Sequence, residues 1–185
     1  YYQSNNPLTP GAILLGINPD GGNYGSIWVD YDNDGDQDLF IAKCRGGSGT
    51  AKFNELHRNN GNGTFTDVSV AANMYDPVQT WSSAWGDFDN DGDMDALVGA
   101  SSFTDGSHKY MRNNADGTFT DTTVGTGWDT NNSANIEHIA YDFDNDGKVD
   151  VLGGGNKIMF NQGNNVFTPV GYNAISVGAV GDLNN

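Results

Sequence analysis

Three nine-residue stretches place carboxylates at alternate positions: DYDNDGDQD at 30–38, DFDNDGDMD at 87–95 and DFDNDGKVD at 142–150. Five acids fall in the first, five in the second and four in the third, and a fourth beginning, DLNN, adds Asp182, so these motifs hold 15 of the 24 acidic residues. Carboxylates about 5 Å apart repel by roughly 0.8 kcal/mol in water and by about 3 kcal/mol at an effective dielectric of 20. Several such pairs in each loop would exceed the stability margin of a small domain. A bound cation removes the repulsion. Oxygen-only donors select a hard ion, and their number favours Ca²⁺ over Mg²⁺, which prefers to keep its waters.

Spacing sets the roles. Positions 1, 3 and 5 can turn their side chains onto one centre: Asp30, Asp32 and Asp34, then Asp87, Asp89 and Asp91, then Asp142, Asp144 and Asp146. Gly35, Gly92 and Gly147 at position 6 permit a sharp bend. Position 7 is Asp36, Asp93 and Lys148. A lysine side chain cannot ligate a cation, so this position is expected to act through its backbone carbonyl. Asp38, Asp95 and Asp150 at position 9 close the three sites, and Asp182 with Asn184 would begin an incomplete fourth. An EF-hand needs an acid at position 12 and flanking helices. Here position 12 is Ile41, Val98 and Gly153, and strand-like sequence follows.

The acidic motifs belong to a longer repeat, with first positions separated by 57, 55 and 40 residues. A second signature follows each complete motif: LHRNNGNGTFTDV from Leu56, YMRNNADGTFTDT from Tyr110 and IMFNQGNNVFTPV from Ile158. Each unit reads as four strands. The first leads into the acidic loop (SIWVD, SSAWGD, EHIAYD) and the second leaves it as an apolar run (DLFIAK, DALVGA, DVLGGG). The third (ELHRN, KYMRN, KIMFN) and fourth (FTDVS, FTDTT, FTPVG) flank an Asn- and Gly-rich turn, which is a hairpin signal. The expectation is an all-β protein of β-propeller-type repeats, four antiparallel strands per blade, with three complete repeats and partial repeats at both ends. The expected boundaries are 1–27 for a partial preceding repeat and connection, 28–81, 82–137 and 138–173 for repeats 1 to 3, and 174–185 for the start of a fourth. NNPLTP at 5–10 aligns with NNVFTP at 164–169, so the first residues could complete a blade whose inner strand is ISVGAV, within one molecule or between neighbours.

Composition agrees with a packed, turn-rich β protein: 11% aromatic residues and 26 glycines in 185 residues. A formal charge of −16 argues against nucleic acid or anionic membrane as a partner. No apolar run reaches the roughly 18 residues of a membrane-spanning helix. Were the chain secreted, its signal is expected to have been removed before Tyr1. The single cysteine forms no intrachain disulfide framework.

D-x-D-x-D-G-x-x-D between two strands, followed by RNN-x-x-GTFTD, resembles the FG-GAP repeat family, specifically its bacterial VCBS-type branch. The repeats are also similar to those of integrin α-chains, with WGD at 85–87 and VGA at 98–100 as the nearest landmarks. The resemblance implies a calcium-binding propeller of secreted or surface proteins, acting in adhesion or in binding a glycan or protein ligand. A second expectation is a surface filament assembled head to tail. A third is the non-catalytic part of a secreted carbohydrate-active enzyme.

The remaining chemistry-bearing residues suggest no enzyme. Every dense carboxylate pair is already assigned to a loop, which leaves none for glycoside hydrolysis. Cys44 lies between Lys43 and Arg45, where a thiolate is favoured, yet no base accompanies it. GGSGT at 46–50 lacks the last glycine of a nucleophile elbow. His57, His108 and His138 fall at unlike repeat positions without zinc spacing. Trp28 and Trp85 precede their acidic loops at equivalent positions, with Ala140 in the third, and read as blade packing; Trp81 and Trp128 lie in connections and read as exposed contacts. Asn62 and Asn131 open glycosylation sequons.

Overall fold

A computed structural model describes residues 22–45, 49–100, 108–131, 138–153 and 157–171. The expected blade made from 5–10 and ISVGAV, and the incomplete site at Asp182 and Asn184, lie outside the described residues. So do most of GGSGT and the remainder of the Asn131 sequon.

Among the described residues, three four-stranded antiparallel sheets follow one another in sequence. The first holds β1 (Gly22–Val29), β2 (Asp38–Arg45), β3 (Glu55–Asn59) and β4 (Phe65–Asp67). The second holds β5 (Thr80–Gly86), β6 (Asp95–Ala100), β7 (Lys109–Asn113) and β8 (Phe119–Asp121). The third holds β9 (Ile139–Tyr141), β10 (Asp150–Gly153), β11 (Lys157–Asn161) and β12 (Phe167–Gly171). Each sheet is a simple meander in sequence order. The protein is thus all-β, built of propeller-like blades, and its only helical piece among the described residues is the short turn Gly49–Lys52. No helix there is long and apolar enough to cross a membrane.

Strand alternation decides how the sheets stack. On the first sheet Val29, Phe40 and Leu56 face the second, where Ala96, Val98, Met111 and Phe119 meet them in one buried cluster with Trp85 against it. The opposite face of the second sheet, with Ala84, Leu97 and Tyr110, packs on Val151, Met159 and Phe167 of the third. One repeat therefore offers its forward face to the back face of the next. Backbone bonds reinforce the order: Phe119 N donates to Ala72 O at 3.0 Å and Phe167 N to Thr126 O at 2.7 Å.

Two tryptophan readings need correction. Trp128 has no exposed surface and lies among His108, His138 and Phe167. Trp81 lies in β5, not in a connection, and stacks on Tyr24 at 5.4 Å. Trp28, expected to be blade packing like Trp85, is 55% exposed and meets the ring of Phe65 edge-on at 6.1 Å, whereas Trp85 packs against the cluster between the first two sheets.

Candidate metal centre

Each acidic loop joins the first two strands of a sheet, β1 to β2, β5 to β6 and β9 to β10. The backbone folds identically in all three. Position 4 takes a left-handed conformation at Asn33, Asn90 and Asn145, with φ near +60°, and position 6 is glycine with φ of 91°, 96° and 85°. Asparagine tolerates that region better than most residues, and glycine enters it freely.

The position 1 carboxylate organises the bend. Asp30 accepts from Asp34 N and Gly35 N at 3.1 and 3.0 Å, Asp87 from Asp91 N and Gly92 N at 3.0 and 3.1 Å, and Asp142 from Asp146 N and Gly147 N at 3.1 and 2.9 Å. Position 5 then accepts from the position 7 amide: Asp34 from Asp36, Asp91 from Asp93 and Asp146 from Lys148, at 2.9, 3.0 and 2.9 Å. Position 9 anchors the loop from beneath. Asp38, Asp95 and Asp150 have no exposed surface, and each accepts one amide from position 2 and one from the end of the third strand.

Carboxylate oxygens converge in all three loops. Asp30, Asp32 and Asp38 bring ligand atoms within 4.8 Å of one another, as do Asp87, Asp89 and Asp91, and Asp142, Asp144 and Asp146. Position 7 side chains turn to other partners: Asp93 Oδ1 accepts from Asn33 Nδ2 at 2.7 Å, tying the first loop to the second, and the Lys148 ammonium pairs with Asp146.

Electrostatics show what the clusters lack. One oxygen each of Asp32 and Asp89 is buried with no hydrogen-bond partner. Burial, then the neighbouring Asp34 or Asp91, pushes both carboxyls above the usual range. Burial pushes Asp38 up to about 6 and Asp95 up to about 7, in spite of the amides they accept. Asp150 is raised by the same cause. Buried, mutually repelling oxygens without donors fit a hard cation, so the residues present can hold a metal ion in each loop. The third loop differs: the Lys148 side chain holds Asp146 below its ordinary value.

Sequence reasoning missed one asparagine per repeat. Asn113 Nδ2 donates to Met94 O at 3.0 Å in the acidic loop of its own repeat and to Tyr31 O at 2.7 Å in the acidic loop of the preceding one. Asn161 does the same toward Val149 O at 3.1 Å and Phe88 O at 2.8 Å. Asn59, the equivalent residue, donates to Gln37 O at 3.1 Å. Their Oδ1 atoms accept the first amide of the following hairpin. The signal is the asparagine that closes each third strand, in ELHRN, KYMRN and KIMFN.

Other candidates find structural surroundings. Cys44 is in β2 and is buried beside Trp81 and Gln79. His57 Nε2 and Lys43 Nζ meet Glu55 at 2.9 and 3.0 Å in a buried set. Burial alone would raise Glu55, but His57 and Lys43 outweigh it and hold the carboxyl low.

Residues 30–98, from the first acidic loop into β6, match the model of the FG-GAP-like repeat. No protein of curated function matches the chain. Among solved structures, a lectin of Agrocybe aegerita, described by its specific recognition of non-reducing terminal N-acetylglucosamine, is similar at a TM-score of 0.45 and 18% identity. The alignment covers 79% of this chain and 37% of that one.

Proposed function

The chain carries FG-GAP-like repeat sequence, and on that premise we propose that it is a calcium-binding segment of an extracellular or cell-surface protein. Its blades form a scaffold for a glycan or protein ligand, without catalysis of its own. The observation that carries the calcium reading is the convergence of three carboxylates within 4.8 Å in every loop, two of them with a buried oxygen left without a donor. Six to eight oxygen contacts suit Ca²⁺, and the loop supplies carboxylates and a backbone carbonyl at the spacing such a shell needs. At free calcium ten to a hundred times the dissociation constant, each site stabilises the fold by roughly 1.4 to 2.7 kcal/mol. Millimolar calcium outside cells supports the location. Tyr24 and Trp28, each 55% exposed, supply aromatic surface of the kind that contacts sugars or proteins.

Thermal melting tests the reading: millimolar calcium raises the melting temperature and chelator reverses the rise. An unchanged melting temperature would reject calcium as a structural ion. Binding to an array of glycans, with Trp28→Ala as the comparison, tests the ligand role.

A second reading is head-to-tail self-association. On the third sheet Tyr141 and Val170 are 40% and 48% exposed, whereas Val29 at the position of Tyr141 is buried by the next sheet. Size measured against concentration decides it: a single species at all concentrations excludes a filament.

A further inference from the structure

We propose that the three loops are unequal calcium sites, the first and second tight and the third weak, and that Lys148 sets the difference. The inference rests on the calcium reading above. It concerns a residue that contributes to the shell through its backbone but whose side chain works against the ion.

Three observations separate the third loop from the others. Its position 7 is Lys148 where the first two have Asp36 and Asp93, so an entering ion meets a loop of net charge −3 in place of −5. The Lys148 ammonium pairs with Asp146, and Asp146 belongs to the cluster whose oxygens converge. A divalent ion must therefore share a carboxylate already facing a positive charge, or displace the ammonium from it. Third, Asp32 and Asp89 keep a buried oxygen without a donor, while Asp144 at the same position is exposed to water. Water already solvates what the ion would have to satisfy, and it screens the attraction.

The second loop shows the opposite arrangement. Asp93 is turned toward Asn33 of the first loop at 2.7 Å, so its carboxylate adds negative charge nearby without competing for the cluster. The third loop is the one that fills last as calcium rises.

Calcium chloride titrated into the metal-stripped chain, followed by calorimetry and by free calcium at equilibrium, tests this. Two ions are expected to bind tightly and a third about tenfold or more weakly. Lys148→Gln brings the third to within about threefold of the others, while Lys148→Arg leaves it weak. Asp142→Asn removes the weak phase alone, with circular dichroism reporting whether that variant folds. Three indistinguishable ions in the wild type, or a third phase unchanged by Lys148→Gln, overturns the inference and leaves calcium binding intact. No bound calcium in the wild type overturns the calcium reading and the inference with it.

Discussion

At the scale of single residues, the acidic loops hold a conflict that a cation resolves, and one oxygen shows it. Asp89 is half-buried, carries an unpartnered Oδ1 and is pushed up by burial and by Asp91. Asp89→Asn keeps the shape and removes the charge. The expected outcome changes sign with metal: in chelator the variant melts slightly above the wild type, and in saturating calcium it loses that site's share, roughly 1.4 to 2.7 kcal/mol. Paired melts in the two buffers measure this, and an equal loss in both would mean that the carboxylate has only a packing role. A second residue-scale prediction concerns His138, which is buried against Gly99 and His108. Burial, then His108, pushes it down to about 3 from an ordinary 6.5. The folded state thus keeps His138 neutral while the unfolded chain takes up a proton below 6.5. Its contribution is fully present above pH 6.5 and is lost as pH falls toward 3, reaching about 2 kcal/mol at pH 5. Raised carboxylates such as Asp38 and Asp95 act in the opposite direction over the same range, so the test is a difference. Denaturation of wild type and His138→Leu at pH 8 and pH 5 should show a smaller loss on acidification in the variant.

At the scale of elements, what was legible in the sequence was whatever a strand or loop decides locally. The ranges of β3, β7 and β11 and of the three loops follow from alternation, from Asn- and Gly-rich turns and from carboxylate spacing, all of which act within a few residues. Contacts between elements were not legible in this way. Trp28 and Trp85 share a repeat position and a residue type, yet among the described residues only Trp85 packs against the cluster between two sheets, and no local signal distinguishes them. Trp128 lies outside any strand and looks exposed in sequence, but long-range packing against Phe167 and two histidines buries it. The asparagine at the end of each third strand belongs to the same class. Asn161 satisfies two carbonyls of different elements, Val149 O and Phe88 O, and is 1% exposed. Asn161→Ala leaves both acceptors buried and should cost about 2 to 3 kcal/mol. Asn59→Ala removes the bond to Gln37 O at a partly exposed site and should cost about 1 kcal/mol. Urea denaturation at fixed calcium compares the two, and equal costs would show that the bond between sheets contributes nothing.

At the scale of the whole molecule, repeats built to one pattern become unequal because stacking is directional. The first and second sheets each have a forward face that the next sheet covers, and the third sheet's forward face has no such cover among the described residues. Leu97 and Leu152 make the comparison clean, being the same residue at the same repeat position. Leu97 is 1% exposed and belongs to the cluster between the second and third sheets, while Leu152 is only partly buried. Truncating Leu97 to alanine removes methyl groups from a closed interface and should cost about 2 to 5 kcal/mol, the range of core leucines. Leu152→Ala should cost less than half as much, since water already reaches the site and little cavity forms. The difference must persist in saturating calcium, because it comes from packing between sheets and not from the loops. If the chain associates head to tail, the cost of Leu152→Ala should grow with protein concentration as that face becomes covered, whereas that of Leu97→Ala should not. Denaturation of both variants over a hundredfold range of concentration therefore measures how the blades stack and, with the same two proteins, whether the third sheet finds a partner.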